Sequence, residues 1–221
     1  MKNYKMILFD LDGTLSDPKT GITKSVQYAL RKLNIEEPDL DQLECFIGPP
    51  LQVSFTEFYR FDAEQTASAI RYYRERFKEI GMFENEIYPG IPELLKSLKE
   101  QKYTLVVATS KPTVFSEEIL KYFKIDQYFE LVVGSHLDGT RSSKTEIIEY
   151  ILNQYSNHPL EDFIMIGDRE HDMIGAKNTG IASIGVSYGF GSLQELSAHQ
   201  PDHIVSSVSE LKEVLMGTKA K

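Results

Sequence analysis

The stretch that decides the fold is KMILFDLDGTLSD, from Lys5 to Asp17. Four apolar residues, Met6 to Phe9, run directly into Asp10, and a second carboxylate, Asp12, follows just before Gly13. A short continuous apolar run of this kind is typical of a strand buried on both faces of a parallel sheet. Two carboxylates at the end of such a strand are unfavourable unless another group compensates their charge.

Similar apolar runs recur along the chain. They are TLVVAT (104–109), ELVVG (130–134), FIMIGD (163–168) and ASIGV (182–186), with HIV (203–205) as a candidate sixth strand. The segments between most of these runs have the apolar spacing of helices, as in Phe115, Ile119 and Phe123. Alternating strands and helices predict an α/β fold with a doubly wound, Rossmann-like parallel sheet.

One interval departs from this alternation. Between about Asp17 and Glu86 the apolar spacing is helical and no strand is evident. We therefore predict a small helical cap domain over residues 17–86, inserted between the first and second strands of a core made of residues 1–16 and 87–221. Turns at IGPPL (47–51) and YPGIPE (88–93) interrupt and end the insertion.

Composition restricts the class of function. A net charge of -9 opposes attraction to nucleic acid or anionic lipid, and no apolar segment reaches the ~20 residues of a membrane helix. The first apolar run stops at Asp10, unlike a secretory signal, and the single cysteine, Cys45, cannot form an internal disulfide. We expect a cytoplasmic protein that acts on a small molecule, without a nucleic-acid or membrane partner. The sequence does not distinguish a monomer from a dimer.

Distant carboxylates are expected to meet at one edge of the sheet. Ligands of doubly wound sheets bind beyond the carboxyl ends of the strands, where Asp10 and Asp168 lie, with Asp172 four residues further on. Several negative charges in one site repel each other unless a cation neutralises them. An all-oxygen ligand set suits Mg²⁺, which also binds phosphate oxygens of a substrate.

Two other strand ends supply groups for a phosphate. Thr109 and Ser110 end the second strand, and Pro112 suits the first turn of a following helix, so hydroxyls and backbone N–H groups are expected at a positive helix end. Lys144 begins the helix after the third strand, where a cation is unfavourable without a nearby anion. A phosphate or Asp10 would supply that anion.

Together these segments resemble a known family. DLDGTL (10–15), Thr109, Lys144 and GDREHD (167–172) resemble, in order, the four motifs of the haloacid dehalogenase-like hydrolases. The helical insertion resembles that superfamily's cap of the first type. YPGIPELL, TSKPT and DGTRSSK are most similar to the bacterial phosphoglycolate phosphatase-like branch, which includes nucleotidases.

The resemblance implies a role for each matched residue. Asp10 would attack phosphorus and form an aspartyl-phosphate, and Asp12 would act as general acid and base. Thr109 and Lys144 would hold the phosphoryl oxygens. The predicted activity is hydrolysis of small phosphate monoesters, either phosphoglycolate-like or nucleoside monophosphates.

The implied cofactor is Mg²⁺. Its ligands would be Asp10, the backbone carbonyl of Asp12, Asp168, and Asp172 directly or through water.

Several alternatives remain open at this point. Arg141 could reach a substrate oxyanion or be an exposed loop residue, and the same holds for Lys111. Asp168 and Asp172 could also cap a helix that ends at Gly180. A sugar phosphomutase, a pyrophosphatase or a phosphate-binding module without turnover could use the same scaffold. A dehalogenase is disfavoured because its chemistry needs neither a magnesium site nor an acid at Asp12.

Overall fold

The computed structural model of the protein describes residues 4–217. The chain divides into two compact units. One, here called the core, contains the residues up to Ser16 and those from Ile87 onward; the other, here called the insertion, is Asp17–Glu86.

Residues 4–217 contain eight strands, numbered in chain order. They are β1 (Met6–Phe9), β2 (Ser16–Asp17), β3 (Glu86–Ile87), β4 (Thr104–Pro112), β5 (Leu131–Ser135), β6 (Phe163–Gly167), β7 (Ala182–Val186) and β8 (His203–Val205). Strands β2 and β3 pair with each other as a two-stranded sheet, and Ser16 of β2 also forms an isolated bridge with Asp12. Neither was predicted, because two residues are too few to form a recognisable pattern.

Nine α-helices accompany the strands in the described residues. They are α1 (Lys19–Lys32), α2 (Leu51–Tyr59), α3 (Ala63–Glu79), α4 (Ile91–Glu100), α5 (Thr113–Tyr122), α6 (Lys144–Gln154), α7 (Glu170–Thr179), α8 (Leu193–Ala198) and α9 (Val208–Met216). Of these, α1 to α3 belong to the insertion. None of the helices in residues 4–217 is long and apolar enough to cross a membrane.

The core sheet has six strands in the order β5-β4-β1-β6-β7-β8, and every neighbouring pair is parallel. From β1 the chain adds β4 and then β5 on one side, and it then crosses to the other side of β1 and adds β6, β7 and β8. This is the strand order of the doubly wound, Rossmann-like fold, so the predicted fold class is confirmed. Strand β1 lies between β4 and β6 and is parallel to both, so the carboxyl ends of all three strands lie at the same edge of the sheet.

The sheet is held by burial of its apolar side chains. All four residues of β1 are almost completely buried, which is why the run carries no polar alternation. Side chains of β1, β4 and β6 pack against Ile147, Ile148 and Ile151 on one face of α6. This packing fixes α6, and therefore Lys144 at its first position, relative to the central strands.

The second strand and the helix after it differ from the prediction. Strand β4 continues past Thr109 to Pro112, where it rejoins β5 after an irregularity, and α5 begins only at Thr113. Pro112 is therefore the residue before the helix and not part of its first turn, so the helix start is three residues beyond Ser110. A residue that precedes proline is disfavoured in the helical region, which accounts for the extended backbone at Lys111.

The insertion is built on packing between α1 and α3. A Cβ atom on Gly21 would lie 1.9 Å from the carbonyl oxygen of Gly81, so glycine permits the close approach of these segments. Glu84 is paired with Lys24 at 3.2 Å and with Arg76 at 2.8 Å. We call Lys24, Arg76 and Glu84 the Glu84 cluster.

Candidate active site

Three neighbouring strand ends place the predicted carboxylates and hydroxyl together. Asp10 follows β1, Thr109 lies on β4 and Asp168 follows β6. The backbone N–H of Asp10 donates to the carbonyl of Ile166 at 2.9 Å, which ties the end of β1 to β6. All three side chains are buried.

Three carboxylates form a compact group. Asp10, Asp168 and Asp172 each offer one oxygen, and these oxygens lie within 4.8 Å of one another. Asp172 reaches the group from the first turn of α7, where its Oδ2 also accepts a hydrogen bond from the N–H of Arg169 at 3.1 Å. Asp172 therefore caps the start of α7 and at the same time belongs to the group of three carboxylates. Gly180 ends α7 in the left-handed conformation, as predicted.

One cation lies against two of these acids. Lys144 Nζ is 2.8 Å from Asp10 Oδ1 and 2.6 Å from Asp172 Oδ1, and it donates to the carbonyl of Ala108 at 2.8 Å. Burial acts to lower the pKa of Lys144, but the charges of Asp10 and Asp172 outweigh it and raise that pKa. The lysine is therefore held protonated. We call Asp10, Lys144, Asp168 and Asp172 the core carboxylate cluster.

The core carboxylate cluster has an excess of negative charge. Burial raises the pKa of Asp168 well above its usual range, and Asp172 and Asp10 raise it further. Burial also raises the pKa of Asp172 to about 6, although Lys144 opposes the shift. Three acids, only two of which pair with the lysine, are thus incompletely compensated, and the protein resists their full ionisation.

The donor set fits a hard divalent cation. Asp168 Oδ2 accepts a hydrogen bond from the N–H of Phe190 at 2.7 Å, whereas Asp168 Oδ1 is buried and has no hydrogen-bond partner among the described residues. A buried carboxylate oxygen without a donor is costly unless a cation binds it. Oxygen-only ligands with excess negative charge suit Mg²⁺, so Asp10, Asp168 and Asp172 could hold this ion.

Asp12 has a separate cationic partner. Lys111 Nζ lies 2.8 Å from Asp12 Oδ1 and 2.6 Å from Asp12 Oδ2, and both side chains are almost fully buried. Burial raises the pKa of Asp12 despite the opposing effect of Lys111. From the sequence, Lys111 and Arg141 were equal candidates to reach a substrate oxyanion. In the structure Lys111 pairs with Asp12, whereas Arg141 contacts Gly134 and Tyr150.

The remaining predicted site residues have different surroundings. Thr109 Oγ1 accepts a hydrogen bond from the N–H of Lys111 at 3.3 Å, and the carbonyl of Ser110 accepts one from Ser135 Oγ at 2.9 Å. Arg141 donates through Nε to the carbonyl of Gly134, and its guanidinium lies 4.5 Å from the ring centre of Tyr150. Neither of these Arg141 contacts involves the core carboxylate cluster.

Known proteins share this sequence pattern. The family model for haloacid dehalogenase-like hydrolases matches residues 7–186. A 5'-nucleotidase of Pseudomonas aeruginosa is 52% identical over 212 residues, covering 96% of this chain and 96% of that protein. The tyrosine-protein kinase PtkA of Mycobacterium tuberculosis is 34% identical over 214 residues, covering 96% of this chain and 72% of that protein. A phosphoglycolate phosphatase of Vibrio vulnificus is 28% identical over 223 residues, with 97% of each chain covered.

A solved structure agrees with the sequence relationships. The crystal structure of a predicted phosphatase from Clostridium acetobutylicum matches with a TM-score of 0.94 and 53% identity, covering 97% of this chain and 99% of that one.

The fold is of the doubly wound, Rossmann-like class and has a group of acids at its strand ends. The chain belongs to the haloacid dehalogenase-like hydrolase family, as its motifs predict, and it is a phosphatase, a phosphoric monoester hydrolase, of that family.

Proposed function

We propose that the protein is a Mg²⁺-dependent phosphatase that hydrolyses small phosphate monoesters, nucleoside 5'-monophosphates foremost, through an aspartyl-phosphate on Asp10. The observation that carries the proposal is the core carboxylate cluster, in which three buried acids lie together and a single lysine pairs with two of them. A structural ion-pair cluster would be expected to balance its charges. The excess negative charge here favours a divalent cation, which would in turn attract a phosphoryl group.

The two oxygens of Asp10 are not equivalent, which supports its role as nucleophile. Oδ1 accepts a hydrogen bond from the N–H of Leu11 at 2.7 Å and lies against Lys144. Both of these contacts are on Oδ1, and we assign Oδ2 as the atom that attacks phosphorus. Attack forms the Asp10–phosphorus bond as the bond to the leaving oxygen breaks.

Asp12 is suited to the proton transfers. Its raised pKa favours the protonated acid that the first step needs for the departing alkoxide. Once deprotonated, the carboxylate takes a proton from the water that attacks phosphorus, as the bond between phosphorus and the Asp10 oxygen breaks and phosphate leaves. Lys111 fixes the carboxylate from both oxygens and stabilises its charged form between the steps.

Lys144 and Thr109 would bind the phosphoryl oxygens. Lys144 is held by Asp10, Asp172 and the Ala108 carbonyl, so its charge is positioned before substrate binds. When bound, Mg²⁺ supplies positive charge that offsets the charge of the transition state. We assign Asp10, Asp168 and Asp172 as side chains that hold the ion, together with the Asp12 carbonyl.

The substrate preference rests on the relatives. The 5'-nucleotidase of Pseudomonas aeruginosa is far more similar than the phosphoglycolate phosphatase, at 52% against 28% identity. We therefore place nucleoside 5'-monophosphates ahead of phosphoglycolate. We further propose that residues 17–86 act as a cap domain that selects the alcohol portion of the substrate.

A panel of monoesters tests this function. Phosphate release from nucleoside 5'-monophosphates, phosphoglycolate and sugar phosphates is measured with Mg²⁺ or with EDTA. Asp10→Asn is compared with Asp126→Asn, which changes an exposed acid outside the site. We expect release that needs Mg²⁺, is abolished by Asp10→Asn and is unchanged by Asp126→Asn.

The products separate the competing reactions. Isomerised phosphate esters would indicate a mutase, and turnover restricted to inorganic pyrophosphate would indicate a pyrophosphatase. Release by Asp10→Asn at the wild-type rate would exclude the proposed nucleophile.

A further inference from the structure

A segment outside the four motifs contacts Asp168 directly. After β7 the chain continues as SYGFGS, residues 187–192, and leads into α8. Within this segment the N–H of Phe190 donates to Asp168 Oδ2 at 2.7 Å. That hydrogen bond uses one carboxylate oxygen and leaves Asp168 Oδ1, which is buried and without a hydrogen-bond donor in residues 4–217, for another ligand.

Two glycines of the same segment leave no space beside Asp168. A Cβ atom on Gly189 would lie 2.3 Å from the carbonyl oxygen of Gly13 and 2.5 Å from Asp168 Cβ. A Cβ atom on Gly191 would lie 1.8 Å from the Asp168 carbonyl oxygen. Contacts this short do not occur between real atoms, so any side chain at either position would displace Asp168 or the segment.

The segment is anchored on both sides. Before the glycines, the Tyr188 hydroxyl donates to the carbonyl of Thr14 at 3.0 Å. After them, Glu195 Oε1 on α8 accepts hydrogen bonds from Arg169 Nε and from the N–H of Glu170, each at 2.8 Å. Glu195 therefore holds the two residues that directly follow Asp168.

We propose that residues 187–195 are a positioning element that fixes the Asp168 carboxylate for Mg²⁺. In this element the N–H of Phe190 holds the carboxylate itself, and Glu195 holds the two residues that follow Asp168. This inference rests on the proposed function. Groups that orient a metal ligand through hydrogen bonds strongly affect metal affinity, and their loss typically costs about 10–100-fold. A carboxylate held at one oxygen presents the other to the ion without losing rotamer freedom on binding.

Mg²⁺ binding without substrate tests the element. Titration calorimetry with MgCl₂ is performed on the wild-type chain and on Gly189→Ala, Gly191→Ala and Glu195→Ala, with folding checked by circular dichroism. The matched control is Gly185→Ala in β7, where the three atoms nearest to an added Cβ all belong to the Leu196 side chain, at 3.2–3.5 Å. We expect the Kd for Mg²⁺ to rise about 10–100-fold in the three variants and to change less than twofold in the control.

Conservative replacement separates positioning from general stability. Glu195→Gln keeps an oxygen acceptor for the two N–H donors, so it is expected to bind Mg²⁺ more tightly than Glu195→Ala. If both glycine variants fail to fold, the Glu195 pair decides. If Glu195→Ala folds and its Kd for Mg²⁺ is within twofold of the wild-type value, the inference is overturned. The proposed function stands in that case, because the wild-type chain still binds Mg²⁺. Failure of the wild-type chain itself to bind Mg²⁺ would instead overturn the proposed function.

Discussion

The core and the insertion each contain a cluster of charged side chains, and the two clusters differ in charge balance. In the Glu84 cluster one carboxylate is shared by Lys24 and Arg76, and Arg76 also donates to Ser25 Oγ. In the core carboxylate cluster three acids lie together with one lysine, which pairs with two of them. The first cluster has more cations than acids and the second has more acids than cations.

Burial makes this difference informative. Lys24 is 42% exposed and Glu84 is 24% exposed, so water screens the pairs of the insertion. Lys144 and Asp172 are 3% and 0% exposed, so an unbalanced charge there is costly. Such an imbalance is relieved by an additional cation or by protonation of an acid, whereas the Glu84 cluster needs only to hold its own segments together.

The largest expected effect is the loss of stability when the lysine of the core carboxylate cluster is replaced. Lys144→Met removes the buried cation between Asp10 and Asp172 and leaves their charges uncompensated. We expect the free energy of unfolding in EDTA to fall by about 3–5 kcal/mol, measured by urea denaturation. Lys24→Met in the Glu84 cluster is the matched change and should cost at most about 1 kcal/mol. Equal losses in the two variants would remove the distinction between the clusters.

A second test replaces Asp168, the acid of the core carboxylate cluster for which no ion pair with Lys144 is present in residues 4–217. Asp168→Asn keeps an acceptor for the Phe190 N–H but loses the charge that we assign to Mg²⁺ binding. We expect kcat/KM for phosphate release to fall by about 10²–10³-fold, corresponding to several kcal/mol of lost charge stabilisation.

The control for this variant is a compensated acid of the same core. Asp162 pairs with Lys5 at 2.9 Å and with His158 at 3.1 Å. Asp162→Asn should leave kcat/KM unchanged, and comparable losses in the two variants would contradict the assignment of Asp168.

The pH dependence of stability should reveal the excess of acid. Burial raises the pKa of Asp172 from an ordinary 3.8 to about 6 in the folded protein. A raised carboxyl pKa means that the folded state favours the protonated acid, so this contribution is present at low pH and is lost as pH rises through about 6. As pH rises from 4 to 7 in EDTA, the stability of Asp172→Asn should therefore fall by less than that of the wild-type chain, as measured by thermal melts. Identical pH profiles would count against this interpretation.

The smallest effect is expected in the Glu84 cluster, with the opposite pH dependence. Burial acts to raise the pKa of Glu84, but Arg76 and Lys24 lower it below its ordinary 4.5. A lowered carboxyl pKa stabilises the folded state above pH 4.5, and the contribution is lost as pH falls below that value. Glu84→Gln should therefore reduce stability by at most about 1 kcal/mol near neutral pH and not at low pH. Urea unfolding at several pH values measures this, and a loss that grows with acidity would be the contrary result.

Most of the core could be predicted from the sequence because burial on both faces leaves a clear pattern. The apolar runs of β1 and β6 end in Asp10 and Asp168, and the rule that ligands bind beyond strand ends brings these acids together. Lys144 could also be predicted, because a cation at a helix start implies a nearby anion, and the structure places Asp10 there.

The remaining features depend on contacts between distant residues. The ion pair between Lys111 and Asp12 depends on β4 continuing beyond Thr109, and the proline after Lys111 was the available signal. The hydrogen bond from Phe190 to Asp168 joins a loop to a strand end 22 residues away and follows from no local spacing. The glycines of SYGFGS were the only sequence sign of a close approach there.

The most direct test of the account is to identify the residue that carries the phosphoryl group during turnover. The metal-loaded protein is mixed with a nucleoside 5'-monophosphate, quenched in acid and analysed by peptide mass spectrometry, with Asp10→Asn in parallel. We predict one phosphoryl adduct on the peptide that contains Asp10, and neither adduct nor phosphate release from Asp10→Asn. An adduct on a different residue, or undiminished phosphate release by Asp10→Asn, would contradict the account.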